Sequence, residues 1–347
     1  MTTLYLDRRH ISLKAEGDAV AVYDNKEGRR ISTFPLHPLE RIVMRGDVEL
    51  NSSLISKLCK MDIGVLILSG WKNEPTAFMS RPHNDASIRI AQYKMFSNSK
   101  ERLGLAKEQI ARKLNLQCDT LNQLMDAAGV RYKRQKYLEP IQAAALNVPY
   151  VRSEASLRGT EGQAAKSYFA VMAKFLPSEL GFNGRNRRPP RDPVNSAMSL
   201  CYELIRGEFR NELYMAGLDP YIGFLHKVEF GRDSLSCDLM ESLRPEADAF
   251  LIRLFTSGHL GTNDFVTSSN GCLMKKDSRM KFYKLYETEA GGFRDSIHEI
   301  TRRLLEKIKG NVSGSDTEDP KAVPQPWQVG NVETVALSQK LTLLQMI

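Results

Sequence analysis

The sequence predicts an α+β protein in which a small N-terminal β-sheet domain precedes a larger all-helical domain, and three observations carry that prediction. Short β-rich runs separated by Gly, Asp and Asn fill the stretch from Thr3 to Met79. From Ile88 onward apolar residues recur at helical spacing. Between them RPHNDAS (81–87) is polar and carries Pro82, which marks a boundary. The predicted units are a β domain over 1–80, a linker at 81–87, a helical domain over 88–310 and a tail over 311–347.

In chain order the strand-like runs are TLYLD (3–7), HISLKAE (10–16), AVAVYD (19–24), ISTFPL (31–36) and ERIVMRG (40–46). A short helix at SSLISKLCKM (52–61) precedes the apolar run IGVLILSG (63–70). Helical periodicity then covers one or two helices over 86–117, followed by 120–129, 137–146, 153–176, 192–217, 245–258 and 279–310. After Gly310 the chain is rich in Ser, Asp and Pro with few apolar residues, which predicts a mobile tail. The final run VETVALSQKLTLLQMI is periodic enough for a terminal helix. No internal repeat is visible.

The 347 residues are enough to bury a substantial core. Lys and Arg number 49 against 41 Asp and Glu, a net charge of +8 that favours polyanionic partners. No run approaches the roughly 20 apolar residues of a membrane span, and MTTLYLDRRH lacks the apolar stretch of a secretory signal. A cytoplasmic location without membrane contact follows as the expectation. The five cysteines are scattered and form no C-x-x-C pair, which argues for reduced thiols and against a disulfide framework or a zinc ribbon. Absence of a Walker loop, of G-x-S-x-G and of a dinucleotide fingerprint removes nucleotide hydrolysis, serine-ester chemistry and hydride transfer as leading ideas.

Three short runs carry candidate chemistry: RGTEG around Glu161, DPYIGFLH ending at His226, and SCDLMESLRP with Asp238 and Glu241. Carboxylates plus one imidazole suit an oxygen-preferring divalent ion, Mg2+ or Mn2+, and a basic chain suits phosphodiesters. Each run also has a structural reading. Glu161 falls on a helical stripe with Ala165, Tyr168 and Met172, or else complements the dipole near a helix start. Pro220 and Gly223 suggest a non-helical connection that aims His226, or else His226 is a hydrogen-bonded residue at the core edge. Asp238 and Glu241 share a helix face, or else form a capping box with Asp238 as N-cap. The loop NGRNRRPPRD supplies Arg185, Arg187, Arg188 and Arg191, either for phosphates or as a solvated linker. Arg152, Arg158, Lys166, Arg244, Lys275, Lys276 and Arg279 lie near the acidic motifs in sequence and are further candidates for a DNA backbone.

Taken together, RGTEGQAAKSYF, DPVNSAMSLCYELIRGEF, AGLDPYIGFLH and SCDLMESLRP, in that order over much of 157–245, resemble the CRISPR adaptation integrase family, also called the CRISPR-associated endonuclease. The resemblance implies a β domain, a helical catalytic domain, a homodimer and one divalent metal ion per active site. It further implies Glu161, His226 and Glu241 as metal ligands with Asp238 as an accessory catalytic residue. The last acid of the D-x-x-[DE] run is Glu here, and whether Asp238 touches metal stays open. The implied activity joins the 3′-hydroxyl ends of spacer precursor DNA to a CRISPR repeat by transesterification. The implied companion is a small dimeric CRISPR-associated adaptation protein. Two other readings are a stand-alone structure-selective nuclease, which would use water at the same metal, and a non-catalytic basic DNA-binding scaffold.

Overall fold

Alternation of side chains along short β-branched runs builds two facing sheets, each needing its apolar face covered. The computed structural model describes residues 2–69, 74–79, 86–187 and 189–312. Expectations that fall on Arg188, on most of the 81–87 linker and on 313–347 lie outside the described residues.

The strands are β1 (Thr2–Asp7), β2 (Ile11–Glu16), β3 (Ala19–Asp24), β4 (Arg30–Pro35), β5 (Leu39–Arg45), β6 (Val48–Leu50), β7 (Gly64–Ser69) and β8 (Glu74–Met79), with helix α1 (Ser52–Lys60) before β7. One sheet has the order β1-β5-β7-β8 and the other β4-β3-β2-β6. β1, β5 and β7 are parallel, while β2, β3 and β4 form an antiparallel meander whose edge takes β6 in parallel. Leu4, Leu6, Ile42, Met44 and Val65 pack with Ile11, Leu13, Val20 and Val22, and Leu54 and Leu58 of α1 join them. The opposite face of the first sheet presents Val43, Leu66 and Leu68, which belong to the core of the helical region.

That region comprises α2 (Ser87–Ser97), α3 (Ser99–Ala127), α4 (Arg134–Asn147), α5 (Glu154–Met172), α6 (Pro193–Met215), α7 (Ser234–Met240), α8 (Arg244–Thr256) and α9 (Lys276–Val312). Asn98 separates α2 from α3 because its side chain accepts from Lys100 N and Glu101 N, capping the second helix. α3 runs through to Ala127, so the predicted segments 86–117 and 120–129 are redivided at Asn98 and otherwise joined. α6 starts at an Asp192 cap with Pro193 in the first turn and is buried along most of its length.

The second region is mostly helix, as the sequence predicts, and one short hairpin interrupts it. β9 (Phe265–Ser268) and β10 (Gly271–Met274) form an antiparallel hairpin between α8 and α9. Ser269 and Asn270 make the turn, and Gly271, the first residue of β10, has φ +113°, which suits glycine. A Cβ on Gly271 would come 2.7 Å from both Pro189 Cβ and Pro190 O, and Cys272 N donates to Pro190 O at 2.7 Å. The hairpin therefore seats the loop that carries Arg185, Arg187 and Arg191.

α6 joins the two regions. A Cβ on Gly207 would sit 2.6 Å from Leu66 Cδ2, so a larger residue here would push the Leu66 side chain of β7 aside. Beside it Glu208, 5% exposed, pairs with Arg41 of β5 and lies 3.6 Å from Arg294 of α9. Arg294 also meets Glu287 at 2.9 Å, and Glu287 accepts from Tyr5 of β1 at 2.8 Å. Breaking a buried pair leaves uncompensated charge, so Glu208→Ala is expected to cost about 3–5 kcal/mol of stability. Urea unfolding checks this, and a loss below about 1 kcal/mol would show the pair to be dispensable.

Candidate active site

Ser153 caps α5, and its side chain accepts from Ser156 N. Leu157, Ala164, Tyr168 and Met172 are buried along one face of the helix. Glu161 lies on that stripe, two turns in, beyond the first turn where a carboxylate complements the dipole. The dipole reading of Glu161 therefore does not hold. Its Oε1 meets the ammonium of Lys113, on α3, at 2.5 Å.

The DPYIGFLH connection is held at its base by Gln92 of α2, which is fully buried. Its amide donates to Asp219 O (2.9 Å) and Ile222 O (3.1 Å), and its oxygen accepts from Asp219 N (2.8 Å). The rest of the loop wraps one carboxylate. Asp238, fully buried within α7, accepts from Phe224 N (2.5 Å) and Leu225 N (2.8 Å) through Oδ2. Its Oδ1 accepts from His226 N (3.0 Å) and pairs with His226 Nδ1. Gly223 is required here by proximity, since a Cβ would lie 2.5 Å from Asp238 Oδ2 and 2.8 Å from Ser234 Cβ. With Nδ1 engaged, Nε2 is the imidazole nitrogen left to act on a ligand.

The capping-box reading of Asp238 and Glu241 is overturned. Asp238 lies inside α7 and serves amides upstream of the helix, while Glu241 follows the last helical residue and its N–H donates to Asp238 O at 3.2 Å. Glu241, 3% exposed, holds Lys113 Nζ at 2.6 Å through Oε2 and Arg244 at 3.0 Å through Oε1. Burial pushes the Glu241 carboxyl up, but the positive charges of Arg244 and Lys113 and the hydrogen bond from Lys113 outweigh it and leave the pKa at about 2. Burial likewise works against the Lys113 ammonium, yet Glu241 and Glu161 prevail and raise its pKa above the ordinary lysine value.

Thus Glu161, from α5, and Glu241, from the end of α7, converge on one cation position, and the group at that position is an ammonium. His226 and Asp238 form the adjoining pair. Among the described residues no three His, Cys, Asp or Glu side chains are grouped tightly enough to hold a metal ion. The carboxylate pair and the free imidazole nitrogen are donors of the right chemistry for a hard divalent ion. Lys113 was not among the sequence candidates. Its signal was a lysine on the α3 stripe that carries Ile110, Leu114 and Gln117, all buried.

Behind the acids, Arg244 stacks over Tyr202 at 4.7 Å and Arg185 over the same ring at 5.5 Å. Tyr202 and Tyr168 (3.1 Å) both donate to buried Asp248. Burial raises the Asp248 carboxyl to about 6, against the opposing pull of the two hydroxyls and of Arg244 and Arg185. The folded state therefore holds the Asp248 proton more tightly than the unfolded chain. Its contribution to stability is full below about pH 4 and is lost as pH rises through about 6, at most about 3 kcal/mol. Asp248→Asn is expected to flatten the change in melting temperature between pH 4.5 and 7, and an unchanged profile would contradict this.

The basic candidates fall into two groups. Arg187, Arg191 and Lys166 are exposed and line a groove of about 730 Å³ along α5, which also includes Gly162 and Phe169. Arg152, Lys275 and Lys276 are exposed too, and Arg158 is half-buried with Glu154 at 3.9 Å. Arg185, by contrast, donates to Asn186 O, Asn195 Oδ1 (2.7 Å) and Ser199 Oγ (3.1 Å), which makes it an anchor of its loop. Arg244 is committed to Glu241, and Arg279 to Asp7 (2.9 Å).

The family described as CRISPR associated protein Cas1 matches residues 4–288. A CRISPR-associated endonuclease Cas1 of Thermodesulfovibrio yellowstonii is 38% identical over 323 residues, covering 90% of this chain and all of the relative. Among solved structures, a casposase bound to integration product superposes with a TM-score of 0.76 at 23% identity over 95% of this chain and 97% of that one. A Cas6-RT-Cas1–Cas2 complex gives 0.74 at 20% identity, covering 89% of this chain and 35% of that one. The match over most of the length, with the four motif residues drawn into one region of the fold, shows that this chain belongs to the CRISPR-associated Cas1 family.

Proposed function

We propose that the chain is a metal-dependent DNA integrase and endonuclease of CRISPR adaptation, which joins a spacer 3′-hydroxyl to a CRISPR repeat. The observation that carries this reading is the convergence of Glu161 and Glu241 on one cation position beside an imidazole held by Asp238. When bound, Mg2+ or Mn2+ would supply polarisation of the scissile phosphoryl oxygen and charge for the departing 3′-oxygen. Glu161, Glu241 and His226 Nε2 are the residues that would hold it. Asp238 fixes the imidazole tautomer and with it the direction of Nε2.

The cysteines near the acids are not suited to act as nucleophiles. The nearest cysteine in sequence to the acids, Cys237, has its thiol pushed up to about 11 by burial, and burial also raises Cys201 well above the ordinary thiol value, so neither supplies a thiolate at neutral pH. In this reading the attacking group is a DNA 3′-hydroxyl or water, which the relative's endonuclease name and the casposase's integration product both accommodate. Arg187, Arg191 and Lys166 along the α5 groove are suited to the DNA backbone. We also propose a homodimer and a small Cas2-type partner, the latter supported by the complex named above.

The test is an oligonucleotide strand-transfer assay with Mn2+, repeated with EDTA. Joined strands that vanish with EDTA are the expected result. Cleaved ends without joining would favour the stand-alone nuclease, and DNA binding with no turnover in either condition would favour the scaffold.

A further inference from the structure

We propose that Lys113 is the resident cation of the site: its ammonium holds Glu161 and Glu241 together in the metal-free protein, and a divalent ion binds by displacing it. This rests on the reading above that the two carboxylates ligate a metal ion. Lys113 lies in the middle of α3, only 6% exposed, on the same stripe as Ile110, Leu114 and Gln117. A buried ammonium is costly unless paired, and nothing in the apolar packing of that stripe calls for a charge. Its partners are the two carboxylates, at 2.5 and 2.6 Å, which arrive from separate elements.

The charges balance as they stand, Lys113 and Arg244 against Glu161 and Glu241. A divalent ion taking the same carboxylate oxygens would sit against the ammonium, and the repulsion would be strong in so buried a place. Lysine can yield where arginine could not, being a point charge on a long flexible stem and not a planar fork. Glu161 is the more open partner, 20% exposed against 3% for Glu241, so the ammonium has a way out along the α5 side. Displaced, it is an unpaired cation at the mouth of the site until a DNA phosphate arrives. Metal and DNA are therefore coupled: each makes the other's binding more favourable through this one side chain.

Mn2+ titrations of the full chain, followed by electron paramagnetic resonance of the free ion, test the idea without reference to turnover. Lys113→Met is expected to bind Mn2+ about tenfold more tightly than wild type in the absence of DNA, and Glu161→Gln about tenfold more weakly. A DNA duplex is expected to tighten Mn2+ binding by the wild type and to have less effect on Lys113→Met. Should Glu161→Gln weaken binding while Lys113→Met leaves it equal or weaker, the role of Lys113 is overturned and the metal site stands. Unchanged Mn2+ binding by Glu161→Gln overturns the metal site itself. Where Lys113→Met does not fold, a Mn2+-soaked crystal of the wild type decides: Nζ released from at least one carboxylate supports the displacement, and Nζ still bridging both overturns it.

Discussion

His226→Ala is expected to reduce Mn2+-dependent strand transfer by more than about 100-fold, since even the partners that merely orient metal ligands cost 10- to 100-fold when lost. The side chain is 30% exposed and, among the described residues, its ring pairs with Asp238, so its removal opens no cavity in the apolar core. Melting is then expected to move little, as for surface positions in general, within about 0.5 kcal/mol. This separation of activity from stability distinguishes a functional histidine from one that only completes the hydrogen bonding of a loop. Strand transfer at wild-type rates in His226→Ala would remove the imidazole from the site and with it the proposed ligand set.

Replacing Asp238 gives the opposite signature, a loss in both quantities. In Asp238→Ala the amides of Phe224, Leu225 and His226 lose their acceptor together. Each buried donor left unpaired costs about 1–3 kcal/mol, so a total loss of several kcal/mol is expected. Asp238→Asn is the sharper test. Its one remaining oxygen can serve part of the amide cluster, while its NH2 cannot accept from the imidazole, so the tautomer at Nε2 changes. A modest stability loss of about 1–2 kcal/mol with a 10- to 100-fold fall in strand transfer is the expected pair of results. Stability lowered with full activity retained would make Asp238 a scaffold for the loop and nothing more.

Much of this was legible in the sequence because the signals were local. Alternating runs gave the strands from TLYLD to IGVLILSG, and helical spacing from Ile88 gave the helices. β6 escaped because it is three residues long and, among the described residues, pairs with β2 alone. The hairpin at 265–274 carried its own sign, Asn270-Gly271, but lay between long helical stretches that dominated the reading. At the site the motif residues were found, whereas their roles needed the fold. The spacing of Asp238 and Glu241 fits a capping box as well as anything else, and only the return of the loop at Phe224 to His226 shows what Asp238 serves. Lys113 is more than 40 positions from its nearer carboxylate partner, and no short motif could have joined them. The inward turn of Arg185 was equally invisible, since a basic loop reads the same whether its side chains face water or protein.

The ion pair between Arg41 and Glu208 has a consequence for how this protein can be cut. Glu208 belongs to the central helix, but its buried partner across the join comes from the sheet, and the same join carries Val43, Leu66 and Leu68 into the larger core. A fragment beginning at residue 86 would carry an oily scar along α6 and would leave Glu208 without Arg41, with Arg294 and Tyr286 of α9 still beside it. The portion that bears the acids is thus no free-standing module, and grafting it elsewhere would require a surrogate for the missing sheet.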